Sequence, residues 1–125
     1  MISTVFQVAL GGAIGAVARY LTGLAVLRAS GAGFPLGVLV ANVIGSFLLG
    51  LFVVWAGRTA MTHLSPFVVT GLLGGYTTFS AFSLETATLI ERGHVGSAAL
   101  YIAVSVGGAL AAMFAGIFLA RGLWA

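Results

Sequence analysis

The residues able to do chemistry in this chain gather in one stretch, GLLGGYTTFSAFSLET, running from Gly71 to Thr86. It lies inside an apolar segment, yet it brings Gly74, Gly75, Thr77, Thr78, Ser80 and Ser83 together around two aromatics, Phe79 and Phe82. Adjacent glycines weaken a helix interior by roughly 1 kcal/mol each relative to alanine, so a helix is expected to break at this pair. In lipid, backbone groups freed by a break need partners from protein, water or a bound ion. Channels and transporters place ion sites at such breaks. The two phenylalanines are three residues apart and share a face of any helix that follows. Ring edges carry partial positive charge and can meet an anion; plain packing is the other reading of such a pair. Ser80 and Ser83 flank the rings and would add hydroxyl donors.

The remaining polar residues are few. Asn42, the only asparagine, lies early in an apolar run. It serves either as an interhelical hydrogen bond worth about 1 kcal/mol or as an amide donor to an anion. Tyr101, Ser105 and Ala109 recur at four-residue spacing, which makes one helical stripe. Tyr101 and Ser105 would begin a short polar track, although a tyrosine near a helix start equally serves as an interfacial anchor. Arg19 lies well inside the first apolar run, about 21 Å along a core of roughly 30 Å, within reach of the far surface by snorkelling. Intramembrane charges are functional candidates by default, and a cation near a pore mouth would concentrate anions. Glu85 lies about 15 Å beyond the glycines, near the interface. The sequence defines no H-x-x-x-H pair, no paired-carboxylate site and no nucleophile–His–acid set, so no enzyme is expected.

Four apolar runs position these residues: Val5–Leu27, Leu36–Ala56, Pro66–Ile90 and Val95–Leu119. Each is near the roughly 20 residues needed to cross a bilayer. Of 125 residues, 61% are hydrophobic and only 6% charged, against about a quarter charged in a soluble domain. The natural solvent is therefore lipid. MISTVFQVAL lacks a basic region and a small-residue cleavage site, so it is expected to stay as part of the first span. The turns are Ala29–Pro35, Gly57–Leu64 and Glu91-Arg92-Gly93-His94, and Ser65-Pro66 suits an N-cap followed by proline at the first helical position. Residues 1–125 read as a single transmembrane domain. Five arginines, two glutamates and no lysine or aspartate give a net charge of +3. The arginines are scattered singly, which excludes a nucleic-acid surface. With no cysteine, disulfides and thiolate metal sites are excluded as well.

The arginines also bear on orientation. With four spans, Arg58 and Arg121 fall on one side, and Arg28 and Arg92 on the other. Positive-inside orientation needs an imbalance, and here the count is two against two, or two against three if Arg19 snorkels. Such a chain can insert both ways and pair with its own inverted copy about an axis in the membrane plane. Thr78, the midpoint of Pro66–Ile90, would then meet its copy at mid-depth. Orientation by the first helix is the alternative. Gly37, Ala41 and Gly45, and likewise Gly108, Ala112 and Gly116, form small-xxx-small ridges that let helices touch.

GGAIGAVARY in the first span, ANVIGSFLLG in the second and GGYTTFSAFSLET in the third closely resemble the bacterial fluoride channels of the Fluc/CrcB family, over essentially the whole chain. The resemblance implies an all-α membrane protein that forms a dual-topology homodimer. It implies two antiparallel fluoride pores, a structural sodium ion at the centre of the interface, and passive export of fluoride across the bacterial inner membrane. Carried over, Phe79 and Phe82 resemble the family's pore phenylalanines and Asn42 its pore asparagine. Tyr101 and Ser105 resemble its polar track. Gly74 and Thr77 match the positions whose carbonyls hold sodium, Arg19 the vestibule arginine and Glu85 the acid after the motif. Ala109 departs from members that carry a hydroxyl there. A four-span proton-coupled drug exporter is the runner-up, but it needs an acid deep in the first helix, where this chain has Arg19. A non-transporting accessory subunit is the third reading.

Overall fold

The computed structural model describes residues 1–31 and 33–124. Ala32, assigned above to the first turn, and Ala125, at the end of the domain expected from the sequence, lie outside the described residues. Long apolar runs without interior proline give α1 (Ile2–Ser30), α2 (Leu36–Thr59) and α5 (Val95–Leu123). The third span is composite: a 3₁₀ turn at Thr62–Leu64, a π-helical segment at Pro66–Leu73, one α-turn that we call α3 (Gly74–Tyr76), and then α4 (Phe79–Glu91). Among the described residues, four helical spans are long and apolar enough to cross a membrane.

The helices outrun the apolar stretches that announce them. Ala29 and Ser30 belong to α1, and Gly57, Arg58 and Thr59 to α2, because polar residues at a membrane interface cost a helix nothing there. Gly31 ends α1 at φ 78°, and Gly93 sits at φ 80° in the last turn; both conformations are open to glycine at no steric cost. Ser65 precedes Pro66 as expected, but it makes no capping bond and has helical dihedrals. The 3₁₀ turn before it already runs into the span, so no amide there waits for a cap.

The break also falls elsewhere than the glycines suggest. Gly74 and Gly75 are helical, and the chain is extended at Thr77 (φ −86°, ψ 158°) and Thr78 (φ −154°, ψ 126°). Threonine is β-branched and tolerates extended backbone well. The glycines do a different job, which is close packing against α1. A Cβ on Gly75 would stand 2.7 Å from the Gly12 carbonyl, and one on Gly71 would stand 2.9 Å from that of Val8. From the other side, a Cβ on Gly11 would meet the Leu72 amide at 2.8 Å. This backbone-to-backbone seam is the small-residue mode of packing in lipid.

Helices α2 and α5 form the second seam. Gly50 meets the backbone of Met113 and Ile117, and Gly116 meets that of Phe47 and Leu51. A Cβ on Gly108 would lie 3.4 Å from Val43, so the two helices run parallel, with position 43 level with 108 and 50 with 116. Of the earlier ridges, Ala41 is fully buried, Gly45 faces Thr77, and Gly37 packs on Gly23 of α1. At one end of the bundle Arg58 Nη1 donates to the Trp124 carbonyl at 2.6 Å, and Arg121 lies over the Phe118 ring. Phe6, Leu10, Ile14 and Val17 on α1, and Leu110, Phe114 and Phe118 on α5, point outward. A surface of this kind suits hydrocarbon, and the chain is a multi-pass membrane protein.

Candidate functional site

The site grows from the two extended residues. In an unbroken helix the Thr78 amide would donate to the Gly74 carbonyl, and the Ala81 amide to that of Thr77. Here Thr78 N–H donates instead to Asn42 Oδ1 at 2.7 Å, and Ala81 N–H to Thr78 Oγ1 at 3.0 Å. Asn42 Nδ2 in turn donates to the Thr78 carbonyl at 3.0 Å. The asparagine thus holds both backbone polar atoms of Thr78, one on each of its flanking peptide groups. Thr78 is satisfied from α2, whereas the carbonyls of Gly74 and Thr77 lose their helical donors. The interhelical reading of Asn42 is realised, and one Nδ2 hydrogen remains uncommitted.

The neighbours of the break are held as firmly. Thr77 returns both its amide and its hydroxyl to the Leu73 carbonyl, each at 2.9 Å. Thr78 caps α4 through Oγ1, which also meets Ser80 Oγ at 3.2 Å. Tyr76, buried beside α1, shares a 2.9 Å hydrogen bond between its hydroxyl and Thr22 Oγ1. Nothing in the sequence singled out Tyr76 or Thr22; their partnership joins residues 54 positions apart.

Beside the break lies a groove of about 320 Å³ with three walls. Helix α2 contributes Asn42, Gly45 and Ser46; the third span contributes Gly74, Thr77, Thr78, Phe79 and Phe82; and α5 contributes Ser105, Val106 and Ala109. No charged side chain lines it. The phenylalanine rings are 5.5 Å apart and tilted by 43°. Phe79 is 78% exposed. Phe82 is half-buried, with its ring 5.3 Å from that of Tyr101, which Phe34 meets edge-on at 5.5 Å. Tyr101 and Ser105 are buried, and among the described residues neither hydroxyl meets a partner at hydrogen-bond geometry. A buried hydroxyl without a protein partner is costly, and one that opens onto a groove is free to donate to a bound ligand.

The other candidates lie outside the groove. Ser80 and Ser83 are exposed on α4, and Ser83 spends its hydroxyl on the Phe79 carbonyl at 3.0 Å. Glu85 is half-buried and lines a second cavity of about 280 Å³ with Gly23, Phe34 and Gly37 at the junction of α1 and α2. Arg19 is half-buried on α1. The groove thus unites Asn42, Gly74, Thr77, Phe79, Phe82 and Ser105, with Tyr101 directly behind. Ser46 joins them without having been anticipated, and its spacing of four from Asn42 was the available signal.

Known proteins resemble the chain along its length. The family described as CrcB-like protein, Camphor Resistance (CrcB), matches residues 6–117. A protein of Ruegeria sp. (strain TM1040) named Fluoride-specific ion channel FluC is 61% identical over 124 residues, covering 98% of each chain. Proteins of the same name from Roseobacter denitrificans and from Cereibacter sphaeroides (strain ATCC 17029 / ATH 2.4.9) are 57% and 52% identical. The first alignment covers 94% of each chain and the second 98%. With the match spanning all four helices and the composite third span at its centre, the chain belongs to the CrcB family.

Proposed function

We propose that this protein is a fluoride-selective channel for passive export, working as an antiparallel homodimer with two pores and a sodium ion at the shared break. The observation that carries the reading is a groove lined by uncharged donors and phenylalanines, beside a helix break whose carbonyls lack donors. Relatives named as fluoride-specific channels support the choice of ion.

Fluoride is small and strongly hydrated, so a dry path must replace its water with several donors at once. Ser105 and the spare Nδ2 hydrogen of Asn42 supply such donors, with the Tyr101 hydroxyl close behind. The edges of Phe79 and Phe82 offer weakly positive contacts that hold the ion without trapping it. A narrow path with these walls favours the smallest halide. A fixed positive charge in the groove would bind more tightly but release more slowly, and none is present. Ser80, Ser83, Arg19 and Glu85 would act at the approaches, where a cation raises the local anion concentration.

The break itself suits a monovalent cation. Unwound carbonyls are the usual ligands for sodium inside membrane proteins. Among the described residues the break leaves the four carbonyls from Gly74 to Thr77 without helical donors, and at Gly74 and Thr77 the donor is diverted, to Asn42 and to Thr78 Oγ1. An inverted second copy would bring the same pair, and the ion would neutralise oxygens that otherwise face each other across the axis. Among the described residues no group of three or more His, Cys, Asp or Glu side chains could hold a metal, so the ligands would be carbonyls. The sodium would hold the assembly and take no part in conduction.

Purified protein in liposomes separates the alternatives. The channel passes fluoride without any proton gradient. A proton-coupled exporter would require the gradient, and an accessory subunit would pass nothing in either condition.

A further inference from the structure

Ser46 carries more than its place in the lining suggests. On the third span, Thr77, Ser83, Thr86 and Thr88 each return their hydroxyl hydrogen to the carbonyl four residues earlier. Such bonds quench a hydroxyl as a donor. Ser46 takes part in none of the side-chain hydrogen bonds formed among the described residues. It is half-buried and opens onto the groove. The buried and unpartnered Ser105 hydroxyl lies on the opposite wall of the same groove.

The parallel register of α2 and α5 orders these groups. With Val43 beside Gly108, and Gly50 beside Met113 and Ile117, the sequence along the shared direction is Ser105, Asn42, Ala109, Ser46. At 1.5 Å per residue, Ser46 stands about 6 Å beyond Asn42 and about 9 Å beyond the level of Ser105. Over that interval α5 presents only Val106 and Ala109 to the groove. An anion leaving the Asn42 amide in this direction meets apolar side chains on one wall and a single free hydroxyl on the other.

We propose that Ser46 is the next donor in the path, handing the anion on from Asn42 where α5 offers none. The inference rests on the channel reading above and adds to it a residue that determines conduction. Ser46 would act by direct contact with the passing ion.

The test is fluoride efflux from liposomes, read with an ion-selective electrode, with dimer content followed by size-exclusion chromatography. Losing a donor to a charged partner should slow S46A by at least about tenfold, with assembly unchanged. S46T keeps a hydroxyl and should conduct near the wild-type rate. The decisive variant is S46A/A109S, which returns a hydroxyl from the facing helix and should recover most of the flux. Wild-type flux in S46A would overturn the proposal. So would a loss that comes with failed assembly, or one that neither S46T nor S46A/A109S avoids, since either would make the role structural. A wild-type protein that passes no fluoride would refute the channel reading itself, a result distinct from all of these.

Discussion

At the scale of single residues, a few polar atoms decide whether a backbone break can exist in lipid. Asn42 supplies both a donor and an acceptor to the Thr78 backbone, doing with one side chain what a helix would do with two neighbouring turns. Asn42→Ala removes both bonds and leaves those backbone atoms unpaired. We expect a loss of about 1–3 kcal/mol of stability, measured by detergent or thermal denaturation, and loss of fluoride flux. Wild-type stability in that variant would mean that the break is held by something else. Phe82 lies between the exposed Phe79 and the buried Tyr101. Phe82→Ile keeps an apolar side chain but removes the ring edge, so flux should vanish while the dimer persists. Throughput equal to wild type would take the ring out of the pathway.

Among elements, the glycines inside the third span serve close approach rather than flexibility. The pair Gly74-Gly75 reads in the sequence as the weak point of the third helix, whereas the chain leaves the helix at Thr77 and Thr78. What the sequence could not display is that α1 lies against Gly75 and that α2 has an amide waiting for Thr78. Both facts are tertiary. The four spans were legible because apolar length is a local property, and their overrun by a few residues was not, because interfacial polar residues carry no apolar signal. The stripe of Tyr101 and Ser105 was legible as a period. A lone serine such as Ser46 in a small-residue helix is indistinguishable from packing in the sequence. Gly75→Ala should cost about 1–3 kcal/mol by overpacking against Gly12. Gly57→Ala has nothing within 4 Å of the new Cβ and should be neutral or favourable by up to about 1 kcal/mol. Melting curves of the two variants compare them directly; equal effects would show that the α1 seam is looser than the backbone distances indicate.

For the whole molecule, the proposed antiparallel assembly rests on the balanced arginines and the open-sided groove. Arg58 and the end of α5 share one end of the bundle, while Arg28 in the last turn of α1 and Arg92 just after α4 lie at the other. An inverted partner would close the groove and set the two breaks face to face. The chain has no cysteine, so Thr59→Cys gives a unique label. In intact cells about half of the copies should react with a membrane-impermeant maleimide, following the positive-inside balance. Reaction of all copies or none would mean a single orientation. Exchanging sodium for a larger cation throughout purification should weaken the dimer or its conduction, and indifference would remove the ion from the break.

The most direct measurement follows fluoride and chloride together as they leave liposomes holding purified wild-type protein, with no proton gradient imposed. The account predicts rapid fluoride efflux with chloride retained. Equal passage of both halides, or fluoride held until a proton gradient is applied, would contradict it.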